Sequence, residues 1–293
     1  MTKKRHTALS IILLLIGLLP YSGFGQAVEG AAGLFYDRYE NRGVEPQKYM
    51  PLRAADVVWE HMLWRTIDLN EKWNQFFYFP TEPEGSQGLL NFTYLIWYAA
   101  RNNEIPIFED DEFKIPIDND LYFTRYTQGD TVQLEIYDDE EGEEFHYETV
   151  VIPKIFYSED IKKYSLKEAC YIEKQSTDQY VRLIGLAMIK DNYRTIDGEE
   201  EYIGSFPLFW IPFESMNVRR VLVRHEAYYE ENLAHLPTWD YIFQSHFYSS
   251  FITRETNRFN RSISDYLTGQ DAMFEAERIE YKLLDIEQDM WEF

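Results

Sequence analysis

The chain has 293 residues, with 28 Lys and Arg against 51 Asp and Glu, a formal charge of -23. Nucleic acid and anionic lipid would be repelled by that charge and are set aside as main partners. A single cysteine, Cys170, leaves no internal disulfide, and the aromatic content of 17%, nearly half of it tyrosine, suits both a packed core and partly wet contact surfaces.

Residues 1–25 read as a signal peptide. Lys3, Lys4 and Arg5 precede an apolar run from Leu9 to Leu19, and Gly23-Phe24-Gly25 is a small-x-small cleavage site, placing the cut between Gly25 and Gln26. The run spans about 11 residues, short for a membrane helix, and no stop-transfer charges follow it. A lipoprotein would need a cysteine at the cut, which is absent. Cleavage removes three cations and no acid, taking the formal charge from -23 to -26.

Residues 26–54, with Gly30, Gly33, Gly43, Pro46 and Pro51, read as an extended arm, packed on its own chain or lent to a neighbour. An α+β domain is expected from 55 to 293, with 55–213 and 214–293 as subregions if it divides: a helical N-terminal region, a central mostly antiparallel sheet with a β-hairpin, and a helical C-terminal region. Ala55 to Trp73 is expected as a helix capped by Asp56, with Trp59 and Trp73 on its core face. Trp64 falls roughly 140° from Trp59, beside Val57, so these two either lie under a second layer of the chain or meet a partner. Leu89 to Arg101 is apolar enough for a buried helix.

From Ile105 to Ile152 apolar residues alternate, at Phe113, Ile115 and Ile117, then Val132, Leu134 and Ile136, then Phe145 to Val151. The acidic run around Gly142 makes Thr131 to Val151 a hairpin. That run lacks the oxygen spacing and closing Glu of a calcium loop, so no metal is expected. Ala169–Lys174 and Tyr180–Lys190 read as strands, the second central, with Cys170 a buried small apolar residue. Asp197-Gly198 is a turn, and Pro207 and Pro212 confine Ser205–Phe213 to short or edge pairing. Helices are expected from Glu214 onward: Trp239, Phe243, Phe247 and Phe251 recur every four residues, and Ile252 to Tyr266 continue at 4,3,4,3 spacing with Arg254, Arg258 and Arg261 as a basic ridge. Ala272, Ala276, Ile279, Leu283, Ile286 and Met290, with Trp291 beyond, form a heptad seam suited to the chain's own core or to a partner helix.

Catalytic and cofactor motifs are missing. The sequence has no H-E-x-x-H, no G-x-S-x-G, no phosphate-binding glycine loop and no dinucleotide fingerprint, so neither an enzyme nor a cofactor is expected. Carboxylates abound, and a periplasmic glycan- or peptidoglycan-acting hydrolase or binding protein is the alternative.

Three stretches, ADVVWEHMLWRTIDLNEKWNQFFYFP, VRLIGLAMIKD with PLFWIPFESMNVRRVL, and TWDYIFQSHFYSSFITRETNRFNRSISDYLTGQDAMFEAERIEYKLLDIEQDMWEF, resemble the gliding motility family GldN, or PorN, of the Bacteroidetes type IX secretion system. The resemblance implies a non-enzymatic periplasmic subunit at the inner face of the outer membrane. It would self-associate in a ring with a GldK (PorK) lipoprotein, its only link to the membrane. The ring would meet the periplasmic part of GldM (PorM), which with GldL forms the inner-membrane motor. Val57, Trp64, Arg254, Arg258, Arg261, Leu283, Ile286, Met290 and Trp291 are the contact candidates read from the residues. N-terminal sequencing of the exported protein is expected to begin at Gln26; an intact Met1 would contradict the signal peptide.

Overall fold

A computed structural model describes residues 44–290, apart from 87, 129, 138–144, 153, 177, 197–198 and 230–234. The cleavage point at Gly25 and Gln26, the start of the arm, the acidic hairpin tip, the Asp197-Gly198 turn and Trp291 lie outside the described residues. In chain order the elements are β1 (Val57–Asp68), α1 (Phe92–Arg101), α2 (Asn119–Gln128), β2 (Asp130–Tyr137), β3 (Phe145–Ile152), β4 (Ile161–Glu173), β5 (Gln179–Ile196), β6 (Glu199–Pro212), α3 (Met216–Arg224), α4 (Trp239–Gln244), β7 (Phe251–Glu255) and α5 (Gln270–Asp289). Five strands form an antiparallel sheet in the order β6-β5-β4-β1-β7, while β2 and β3 pair as a separate hairpin.

The expected helix from Ala55 to Trp73 is instead β1, an inner strand of that sheet flanked by short 3-10 turns at Ala54–Asp56 and Lys72–Phe77. Its composition suits a pleated surface, with β-branched Val57, Val58, Thr66 and Ile67 and aromatic Trp59 and Trp64. Trp59, Leu63 and Ile67 recur every fourth residue, and that interval is two strand repeats as well as about one helical turn. Both periods fit, and sheet pairing decides. Trp73 consequently lies outside the core and is 57% exposed.

Two further segments depart from the expected pattern. Phe113 to Ile117 is a loop, because Phe113 takes a left-handed φ of 58° and the Asp110 carboxylate accepts the backbone N–H of Lys114 and Ile115. Helix α2 then follows where no helix was expected. Past α4, the expected helix from Ile252 to Tyr266 is replaced by β7 and a turn. Asn257 builds that turn: its Oδ1 accepts from Phe259 and Arg261, and its Nδ2 donates to the Glu255 and Arg261 carbonyls. The α+β class and the central antiparallel sheet hold, but the N-terminal region opens on a strand. Other expectations are met: the helix expected from Leu89 to Arg101 is the buried α1, which starts only at Phe92 because Asn91 caps it, β5 is an inner strand, and β6 with its two prolines is an edge.

Sheet register sorts residues onto two faces. The inner face carries Leu63, Arg65 and Ile67 of β1, Tyr164, Leu166, Glu168 and Cys170 of β4, and Leu186 and Met188 of β5. Helices pack on this face over a core rich in aromatic rings. Phe77 sits at its centre, with Phe92, Tyr164, Trp239, Phe243 and Tyr248 all within 6.4 Å centroid to centroid. Such rings each bury a large apolar area, which compensates for the absence of a disulfide. Loops are tied down by buried asparagines. Asn74 donates to the Asp68 and Ser249 carbonyls and accepts from Ser249 N, Asn91 donates to the Tyr78 and Pro80 carbonyls, and Asn119 to those of Ala100 and Ile105.

A second, smaller core lies on the same face. It joins Leu63, Cys170 and Ile252 to Ala276, Ile279 and Leu283 of α5. Among the described residues a strap, residues 107–117, crosses the outer face. Phe108 exchanges two backbone hydrogen bonds with Trp210 at the β6 edge, and the tip of the Phe113 ring comes close to Gly185 of β5. A Cβ at position 185 would stand 2.4 Å from the Phe113 ring. Gly185→Ala is therefore expected to cost about 1–3 kcal/mol in urea unfolding, with most of the loss abolished in a Phe113→Ala background; an unchanged midpoint for Gly185→Ala alone would contradict the close approach.

Candidate interaction surfaces

Directly opposed residues of three strands form one row on the outer face. Lys167 of β4 pairs with Trp64 of β1, and Trp64 with Arg254 of β7. Both cations approach the indole, with the Arg254 guanidinium 3.6 Å and the Lys167 ammonium 5.4 Å from its centroid. Two positive groups this close require an anion, and Asp111 of the strap supplies it. One oxygen, Oδ2, accepts Trp64 Nε1 at 2.8 Å and Arg254 Nη2 at 2.7 Å, while Lys167 Nζ donates to the Asp111 carbonyl at 2.7 Å. Trp64 thus lies beneath a layer of its own chain. Val57 is half-buried at the start of β1.

The inner face carries a matching polar seam between the two cores. Glu168 is fully buried and faces Arg65, whose Nε is 3.1 Å from Oε2, while Tyr248 donates its hydroxyl to Oε1 at 3.2 Å and His246 Nε2 stands 3.7 Å away. Arg65 also reaches Glu280 on α5 at 2.8 Å. Arg65, Glu168, His246 and Tyr248 line a cavity of about 350 Å³ with Val181, Ser249 and Ser250. It holds one carboxylate, whereas glycoside hydrolysis uses a pair. Burial, then the Glu168 charge, raises the Tyr248 hydroxyl well above its usual range. The same two causes push the Cys170 thiol up to about 12, so neither group is a nucleophile near neutral pH.

The end of the arm is fixed on its own chain. Arg219 of α3 is 1% exposed in its side chain, forms a two-pronged pair with Asp240 at 2.9 and 3.0 Å, and donates its other nitrogen to the Gln47 carbonyl. Tyr49 lies between the guanidinium groups of Arg182 and Arg219, and Glu45 pairs with Arg220. Removing one member of a buried pair of this kind costs about 3–5 kcal/mol, because the other charge is left without a partner.

The remaining candidates scatter. Arg254, Arg258 and Arg261 do not share a helix face: Arg254 is neutralised in the outer row, whereas Arg258 is exposed in the Asn257 turn and Arg261 stacks on Phe259 and Tyr266. Leu283 is buried in the smaller core, and Ile286 and Met290 are half-buried along the same side of α5. Sequence reasoning missed Asp111 and Glu168. Glu168 carries a visible signal, a charge within the alternating apolar run Leu166, Glu168, Cys170; the acid run around Asp111 carries none that separates it from an ordinary turn. Among the described residues no group of three or more His, Cys, Asp and Glu is placed to hold a metal ion, and no helix is long and apolar enough to cross a membrane.

Residues 52–292 match the family model described as gliding motility associated protein GldN. No curated protein matches the chain. The match covers both faces of the sheet, the strap and α5.

In a double-mutant cycle of Trp64→Ala and Arg254→Ala, urea unfolding is expected to show a coupling of about 1–2 kcal/mol, and Asp111→Ala a loss of about 1–3 kcal/mol. Additive single losses would contradict the row.

Proposed function

The chain belongs to the GldN family of gliding motility and type IX secretion components, and from that premise we propose that it is a non-enzymatic periplasmic subunit that transmits force instead of performing chemistry. In this reading residues 1–25 are removed on export and residues 26–54 form the arm. Residues 55–293 are the body that forms a ring with a GldK (PorK) lipoprotein beneath the outer membrane. The ring couples to the GldM (PorM) periplasmic domain and its GldL partner in the inner membrane.

The observation that carries the reading is the extent of the family match, from residue 52 to 292. The chemistry of the seam supports it: a thiol and a phenol held neutral and a single buried carboxylate bound by Arg65. Among the contact candidates, Val57, Arg258, Arg261, Ile286, Met290 and Trp291 are assigned to subunit or partner contacts. Trp64, Arg254 and Leu283 support those surfaces from behind.

Coexpression with a GldK-type lipoprotein, followed by affinity purification on the lipoprotein and light scattering, tests the assignment. A large complex containing both chains is expected. A protein that stays monomeric and fails to copurify would contradict it.

A further inference from the structure

Helix α5 has two apolar faces, and among the described residues only one is packed against the body. Ala276, Ile279 and Leu283 are buried in the smaller core. On the other side, Met273, Phe274, Tyr281 and Leu284 are 67, 56, 65 and 45% exposed. At 100° per residue these four fall within an arc of about 100° centred opposite Ile279. Phe274, Glu277, Tyr281, Leu284 and Gln288 follow one another at 3,4,3,4 spacing, the repeat by which one helix seats against another. Aromatic and aliphatic side chains of this size, contiguous on one helix, exceed the scattered exposed apolar residues of an ordinary surface.

Charge around this stripe identifies what it fits. Helix α5 carries seven carboxylates and two basic residues. Both basic groups are already engaged, Arg278 with Glu275 at 2.6 Å and Lys282 with Glu255 at 3.3 Å. Glu280 is held by Arg65. Glu277, Asp285, Glu287 and Asp289 make no ion pair with any described residue, so among those residues the stripe, with Glu277 inside it and Asp285 at its edge, presents carboxylates without counter-charge. A second copy of the same helix would bring like charges together in either orientation, which is unfavourable at flanking positions. Anionic lipid is repelled for the same reason.

We propose that the outward face of α5, centred on Phe274, Tyr281 and Leu284, is the docking site for an amphipathic helix of another protein whose flanking positions carry Lys and Arg. The partner's apolar residues seat between Phe274, Tyr281 and Leu284, where aromatic anchors give most of the binding energy. Its cations meet Glu277 and Asp285, which sets orientation and speeds encounter.

The test uses the purified protein and three synthetic helical peptides in fluorescence anisotropy at physiological salt. One has a Leu stripe flanked by Lys, one the same stripe flanked by Glu, and one a Ser stripe flanked by Lys. The Leu/Lys peptide is expected to bind at least about tenfold more tightly than either control. That advantage should disappear in the Phe274→Ser/Tyr281→Ser/Leu284→Ser variant and survive in Tyr241→Ser, an exposed aromatic elsewhere. Thermal melts of these surface variants establish that they fold. A Glu277→Lys/Asp285→Lys variant should reverse the preference toward the Leu/Glu peptide. Equal binding of Leu/Lys and Ser/Lys peptides would overturn the proposal, because the acidic surface alone would then account for binding. Retention by the triple Ser variant would overturn it, as would concentration-dependent self-association lost in that variant.

Discussion

An indole held between two cations fixes the outer face of this protein. Lys167, Trp64 and Arg254 come from three neighbouring strands, and the single Asp111 carboxylate above them makes the row tolerable by meeting the indole N–H and the guanidinium at one oxygen. The consequence is topological. Asp111 is 47 residues from Trp64 and 143 from Arg254, so one carboxylate joins β1, the strap and the late strand β7. One step along the strands the pattern repeats on the inner face, where Arg65 and Glu168 pair. β4 therefore carries charge to both faces at the adjoining positions Lys167 and Glu168, beside Trp64 and Arg65 of β1, and a slip of one residue would put each of these side chains on the wrong side.

Networks of this kind add little net stability but specify arrangement strongly, since breaking one leaves a partly buried charge without a partner. The stability comes from elsewhere, chiefly the ring cluster around Phe77 and the helices packed over it. The Glu168 seam separates that large core from the small one beneath α5. Helix α5 thus rests on its own platform, tied to the sheet by Ile279, Leu283 and the Arg65–Glu280 contact. A long helix, buried on one side and apolar on the other, at the margin of a rigid sheet, is well placed to pass force from a partner into the body. That is what the proposed coupling role requires.

The sequence made local features legible and distant pairings illegible. The apolar run from Leu89 to Arg101 marks α1, the prolines of β6 mark an edge, and the heptad of α5 marks a seam that the structure places against the smaller core. β1 was misread because its fourfold recurrence satisfies the helical and strand periods together, and only its β4 and β7 partners separate them. Phe113 at positive φ, which aims the strap at Gly185, leaves no trace in the sequence. Arg254, Arg258 and Arg261 resembled a ridge because their spacing is helical, yet Asn257 and Asn260, the latter at φ 50°, break the helix between them. Asp111 could not be assigned a role from its own neighbourhood, because both of its partners are remote.

Amide hydrogen exchange on wild type and Asp111→Ala tests the organising role of the row most directly. With Asp111 removed, exchange is expected to quicken in β7, at Ile252 to Arg254, and along the strap from 108 to 117, while amides shared by β4 and β5 keep their protection. Unchanged exchange in β7 and the strap would show that the carboxylate does not hold them, and would contradict this account.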